Sequence, residues 1–272
     1  MKYDNYIFDL YGTLADIKTD EYDMDFWKKM AGLYSAYGAV YKPKKLRKVF
    51  FEMDREERAL LKERIGCEYP EIKLEKVFLR LLKEYPQIAA SDKDEKKAEK
   101  AGTTVKSSGA KVRLPENEAV WAEFIANAFR VLSREYLRLY PGTLETLDKL
   151  RAAGKKVYML SNAQAIFTRP EIKLLELDEH MDKIYISSDY GVMKPDPMFI
   201  KALIETEGLD IRKSVMIGNE VRSDMKVAYS VGMDSILLNT GRLSKKEIKK
   251  EKEEHGVDAK FKVIESITEL VS

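Results

Sequence analysis

Apolar residues along this chain follow two regimes that meet near Pro141. Before it they recur mostly at spacings of three and four. Phe26, Met30, Leu33, Tyr34 and Tyr37 mark an amphipathic helix over about 22–37. Leu46, Val49, Phe50, Met53, Leu60 and Leu61 mark a second, which begins after Pro43 and stops at Gly66. A third covers about 72–85, and a fourth over about 120–136 carries Trp121, Phe124, Ile125, Phe129, Leu132 and Tyr136. These stripes read as helix–helix core. Residues 90–113 between the last two helices are charged or small, bury little, and read as a surface excursion.

After Pro141 short apolar runs alternate with helical stretches, the signature of a parallel sheet. Strands are expected at 157–160, 184–186, 215–217 and 235–238. Helices are expected at 143–153, 199–207, 223–231 and 244–254, with a short strand and helix over 261–271. The run Tyr6-Ile7-Phe8 ends on Asp9 and a Gly12-Thr13 turn, so it reads as a buried strand of the same sheet. The organisation is therefore α/β. A Rossmann-like parallel sheet core is formed by 1–15 and 138–272, and a helical module is inserted at 16–137.

Composition narrows the chemistry. The formal net charge of +2 gives no reason to expect nucleic acid or an anionic membrane as partner. No stretch approaches the roughly 20 apolar residues of a membrane span, and the first apolar run is too short for a signal peptide. The lone cysteine, Cys67, excludes an internal disulfide, so a cytoplasmic setting is expected. The two histidines, His180 and His255, stand far apart with no Cys or His neighbours, which argues against a zinc site or a histidine triad. Neither G-x-G-x-x-G nor the P-loop pattern occurs.

Polar groups instead collect at the expected strand ends: Asp9, then Ser161 with Asn162, Lys194 on the loop after a strand, and Asn219 with Glu220 and Asp224. In a parallel sheet these ends share one edge, where ligands bind, so the groups should converge. Asp9 there could attack an electrophile or simply cap a turn.

The pattern resembles the haloacid dehalogenase superfamily of hydrolases. The resemblance lies in Asp9-Leu10-Tyr11-Gly12-Thr13, Ser161-Asn162, Lys194-Pro195-Asp196-Pro197 and Gly218-Asn219-Glu220-Val221-Arg222-Ser223-Asp224. It implies that 16–137 is a helical cap and that Asp9 is a nucleophile forming a covalent ester. It implies that Ser161 donates to the transferred group, that Lys194 neutralises charge, and that Thr13 and Asn162 belong with them in binding the phosphate. In phosphatase members Mg²⁺ is held by Asp9, the carbonyl two residues on (here Tyr11) and fourth-motif groups, for which Asn219, Glu220 and Asp224 are the candidates. The expected substrate is a small anionic molecule. A carboxylate and a phosphoryl group about 4 Å apart repel by roughly 4 kcal/mol at an effective dielectric of 20, so cations are required.

One position departs from the phosphatase pattern. Where most carry a second Asp as general acid–base, this chain has Tyr11, and a phenol of pKa near 10 suits neutral-pH acid catalysis poorly. Asp-x-Tyr-Gly-Thr resembles the metal-independent 2-haloacid dehalogenase branch, whereas the amide and carboxylates of the fourth motif suit a hard cation. No clear counterpart of that branch's substrate-binding arginine appears; Arg47, Arg55 and Arg58 are candidates that read as helix-face charge. A phosphatase comes first, a dehalogenase second, and a catalytically weak binding or regulatory homologue third.

Overall fold

Asn5–Phe8 forms strand β1, the axis of a six-stranded sheet. Its side chains alternate between two apolar layers, Tyr6 and Phe8 on one face and Ile7 on the other. Both faces of a parallel strand are covered, so the run is apolar throughout. The computed structural model describes residues 1–90 and 111–272, so most of the polar segment expected at 90–113 lies outside the described residues.

The sheet is completed by β4 (Lys156–Ser161), β5 (Lys183–Ile186), β6 (Ser214–Gly218), β7 (Asp234–Leu238) and β8 (Lys262–Ile264). The order is β5-β4-β1-β6-β7-β8, with every neighbouring pair parallel. The chain moves outward from β1 in both directions, so the carboxyl end of β1 is the topological switch point at which such sheets bind ligands. Between the strands run α5 (Thr143–Ala152), α6 (Ala165–Leu174), α7 (Ser187–Tyr190), α8 (Pro197–Glu207), α9 (Lys226–Ser230) and α10 (Lys245–His255). Helix α8 starts where its sequence says it should, with Pro197 in the first turn and the Asp196 carboxylate accepting from Met198 N–H at 3.0 Å.

The helical segments are α1 (Met24–Ser35), α2 (Pro43–Ile65), α3 (Leu74–Lys83) and α4 (Glu118–Ser133). Phe129 of α4 meets Phe26, Trp27, Phe50 and Phe78 at ring-centroid distances of 5.1, 6.0, 5.2 and 5.3 Å. The aromatic stripes are thus helix–helix core, as their spacing predicts. No helix among the described residues is long and apolar enough to cross a membrane.

The chain divides into two units, Met1–Lys18 with Arg58–Ile72 and Glu135–Ser272, and Thr19–Glu57 with Lys73–Arg134. The expected boundaries at 15/16 and 137/138 shift by three residues, and 58–72 belongs with the sheet rather than with the helical module. Cys67 packs among Tyr158, Leu160 and Phe199, Met193 N–H donates to the Tyr69 carbonyl at 3.0 Å, and Glu68 N–H donates to Asp196 at 2.9 Å. The helical module expected from residue 16 opens instead with strand β2 (Ala15–Thr19), and the fourth helix, expected to about 136, stops at Ser133, where β3 (Arg134–Leu139) begins and pairs with β2. Arg138 bonds Asp16 across that pair at 2.8 Å.

Because Phe129 is common to so many ring contacts, Phe129→Ala should cost about 3–5 kcal/mol. The measurement is a lower urea midpoint at an unchanged slope.

Candidate active site

Asp9 is the first residue beyond β1, and its N–H donates to the Ile217 carbonyl at 2.9 Å, extending the ladder with β6 by one residue. The chain then folds back: the N–H groups of Thr13, Leu14 and Ala15 all point to the Leu10 carbonyl, at 3.3, 2.8 and 2.9 Å. The turn needs Gly12, at φ +81°, where a Cβ would lie 2.4 Å from Asn219 Nδ2. Motif one and motif four are thereby pressed together.

Lys194 is buried, and its ammonium has three acceptors. Nζ donates to Asp9 Oδ1, Asp224 Oδ1 and the Leu160 carbonyl, each at 2.7 Å. An ammonium has three protons, so its donor capacity is filled. Burial pushes the ammonium towards neutrality, but Asp224 and Asp9 outweigh it, and Lys194 is held above its ordinary range. Asp224, also buried, is pushed up to about 6, first by burial and then by Asp9, against the pull of Lys194. Its second oxygen accepts from Glu220 N–H at 3.0 Å. Gly218 makes room for it: a Cβ there would lie 2.2 Å from the Asp224 carboxylate. Asp9 Oδ2 has no hydrogen-bond partner among the described residues. Ser161 Oγ, at the end of β4, is buried and equally without one.

Asp9, Ser161, Lys194 and Asp224 are therefore brought to the sheet edge the sequence predicts. Several other expected contacts fall differently. Both polar atoms of the Asn162 side chain are taken by the Lys194 backbone, Oδ1 accepting its N–H and Nδ2 donating to its carbonyl, each at 2.8 Å. Asn162 thus positions the lysine loop, using its oxygen and one of the two N–H groups of its amide. Thr13 is wholly buried, and its hydroxyl donates to Asn219 Oδ1 at 3.2 Å, supporting that amide. Glu220 has partners of its own. Its carboxylate accepts from Arg222 at 3.0 and 3.2 Å and from Ser223 Oγ at 3.0 Å. Burial raises the Glu220 carboxyl, but Arg222 more than reverses this and holds it below its ordinary range. Of the oxygens expected to hold a cation, Asp9 Oδ2 accepts no hydrogen bond among the described residues and Asn219 Oδ1 accepts one from Thr13; carboxylate and amide oxygens are hard donors of the kind Mg²⁺ takes. Asp224, with both oxygens accepting N–H bonds, braces Lys194.

Tyr11 is anchored elsewhere. Its hydroxyl donates to the Glu171 carboxylate, with Thr168 Oγ1 at 3.1 Å. Thr168 and Glu171 are buried residues of α6, three apart on one face. Sequence reasoning missed both, because a Thr and a Glu inside a helical stretch carry no motif. It also missed Glu71, a buried carboxylate that pairs with Arg58 at 3.0 Å and accepts from Gln164 Nε2 at 2.8 Å and Ser187 Oγ at 3.3 Å. Ser187 Oγ also receives Ala163 N–H at 2.9 Å, so this cluster braces the loop that follows Ser161. Arg58 is spent there, Arg47 bonds the Tyr22 carbonyl at 3.3 Å, and Arg55 is exposed. His180 pairs with Asp148 at 2.6 Å and His255 with Glu251 at 3.3 Å, as packing and surface residues.

Comparison with known proteins gives the class. A family model for haloacid dehalogenase-like hydrolases matches residues 3–232, and the chain belongs to that family. It is 28% identical over 129 residues, 47% of its length and 54% of the relative's, to the glyceraldehyde 3-phosphate phosphatase of Pyrococcus abyssi. It is 32% identical over 104 residues, 38% and 44% of the two lengths, to the phosphoglycolate phosphatase of Agrobacterium fabrum. The chain thus spans about half the length of the curated relatives it matches. Among solved structures, the L-2-haloacid dehalogenase of Xanthobacter autotrophicus superposes with a TM-score of 0.52 at 16% identity, covering 98% of this chain and 96% of the other. That likeness shows a shared fold.

Removing the ammonium should leave two buried carboxylates facing each other. Lys194→Met is expected to cost about 3–5 kcal/mol near neutral pH. A carboxyl whose folded pKa is raised, as Asp224 is to about 6, adds stability below its unfolded pKa and loses it as pH rises through the folded one. The variant's deficit should therefore shrink as pH falls from 7.5 to 5, read from paired urea titrations.

Proposed function

We propose that this hydrolase is a Mg²⁺-dependent phosphatase of a small phosphorylated metabolite, working through an aspartyl phosphate on Asp9. The observation that carries this reading is the buried group of two carboxylates sharing one ammonium. Its net charge is −1 when both acids are ionised, and Lys194 has no donor left for an incoming anion. A phosphoryl dianion entering here needs further positive charge, and Asp9 Oδ2, Asn219 and the Tyr11 carbonyl are suited to hold Mg²⁺ for it. Bound there, the ion would neutralise phosphoryl charge as a Lewis acid. The phosphatases among the relatives support the same direction.

Asp9 Oδ2 is the attacking atom, while Lys194 fixes Oδ1 and so the orientation of the carboxylate. The Ser161 hydroxyl, buried without a partner, is placed to donate to a phosphoryl oxygen. Leaving such a group unsatisfied costs about 1–3 kcal/mol, a penalty that an anionic ligand removes. Water then cleaves the aspartyl ester and restores Asp9. These donors are fixed before the substrate arrives, which is how a site stabilises developing charge without reorganising.

A second reading, a metal-independent 2-haloacid dehalogenase, is favoured by one feature: the Tyr11 proton goes to Glu171, and a halide leaves without one. In a screen of phosphate esters and 2-chloropropionate, phosphate release that EDTA abolishes is expected, and Asp9→Asn should show no turnover. Halide release unaffected by EDTA would replace the phosphatase reading with the dehalogenase. Ligand binding with neither product would point to a homologue that binds without turnover.

A further inference from the structure

We propose, building on the phosphatase reading, that the site acts on phosphoryl donors whose leaving group departs as a stable anion, acyl phosphates above all. Among the described residues, no acidic proton near Asp9 is free to follow a leaving group. Around Asp9, Lys194 spends all three on Asp9, Asp224 and the Leu160 carbonyl. Asp224 accepts an N–H on each oxygen, bonds that favour the ionised form, which has no proton to give. The single Tyr11 proton goes to the buried Glu171 carboxylate, a stronger acceptor than the Thr168 hydroxyl beside it. Thr13 donates to Asn219, and one N–H of the Asn162 amide to the Lys194 carbonyl.

Around Asp9, among the described residues, the side-chain protons left over are those of the Ser161 hydroxyl and of the Asn162 and Asn219 amides, and an amide N–H is no acid. A serine hydroxyl can offer a hydrogen bond to a phosphoryl oxygen but is too weak an acid to protonate a departing alkoxide. An alkyl phosphate would therefore have to expel a strongly basic oxygen unaided. A carboxylate, whose conjugate acid has a pKa near 4, leaves without help.

The steps balance on this basis. Asp9 Oδ2 bonds to phosphorus as the bond from phosphorus to the acyl oxygen breaks, and the electron pair leaves with the product carboxylate. Water then adds to the phosphorus on Asp9 and the Asp9 oxygen–phosphorus bond breaks. The Asp9 carboxylate re-forms, one water proton stays on the orthophosphate and the other passes to solvent. The aspartyl phosphate is itself an acyl phosphate, so both half-reactions expel a carboxylate and neither calls for an acid.

The test uses the full chain with Mg²⁺ and measures kcat/KM for acetyl phosphate, a series of substituted phenyl phosphates and glycerol 3-phosphate. The expected result is a steep rise with leaving-group acidity. Acetyl phosphate should exceed glycerol 3-phosphate by at least about 10²–10⁴-fold, the usual contribution of a general acid. Tyr11→Asp, which supplies a carboxyl at that position, should raise glycerol 3-phosphate turnover by about 10-fold or more and flatten the series. Where that variant does not fold, the wild-type slope decides alone. A flat dependence with good glycerol 3-phosphate turnover overturns this proposal and leaves the phosphatase reading standing. Absence of turnover on every phosphate compound removes that reading and this proposal with it.

Discussion

The buried ammonium of Lys194 is the constraint on which the rest of the sheet edge depends. Taking a charge out of water costs several kcal/mol per ion unless geometry and hydrogen bonds compensate. Here compensation comes from Asp9, 185 residues away in sequence, from Asp224, 30 away, and from the Leu160 carbonyl, 34 away. The loops after β1 and β6, the end of strand β4 and the loop that carries Lys194 must all arrive correctly, or a charge is left stranded. The register of β1 with β4 and β6, set by apolar side chains on both faces, brings those strand ends level.

Around this centre, supporting side chains remove freedom. Asn162 grips the Lys194 backbone from both sides, Thr13 steadies Asn219, and Gly218 lets the Asp224 carboxylate lie against the strand. Glu71, Gln164 and Ser187 brace the loop after Ser161, and Glu171 with Thr168 anchors Tyr11. The effect is preorganisation, in which dipoles and charges are fixed before a substrate enters. The same bonds determine which protons remain available, so the support network and the chemistry are not separable.

Much of this was legible in the chain. The alternation after Pro141 gave the parallel sheet, and polar residues ending apolar runs gave Asp9, Ser161, Lys194 and Asp224. Short-period signals failed where two patterns overlap. Ala15–Thr19 and Arg134–Leu139 adjoin strongly helical stretches, and five or six residues of alternation were absorbed into them. Residues 58–65 continue the second helix and 66–72 follow it before the third, although Cys67 and Glu71 find their partners on the sheet.

The sequence by itself determined the layers, the strand ends and the identity of the groups delivered to them, because hydrophobic periodicity and turn residues are local properties. Only the tertiary structure decided which of those groups face one another. Glu220 goes to Arg222, Asn162 to the Lys194 backbone, Tyr11 to Glu171, and Asp224 to the ammonium. The physical reason is that a side chain's hydrogen bonds are settled by competition among every donor and acceptor within about 3 Å, and that set is assembled from segments far apart in the chain.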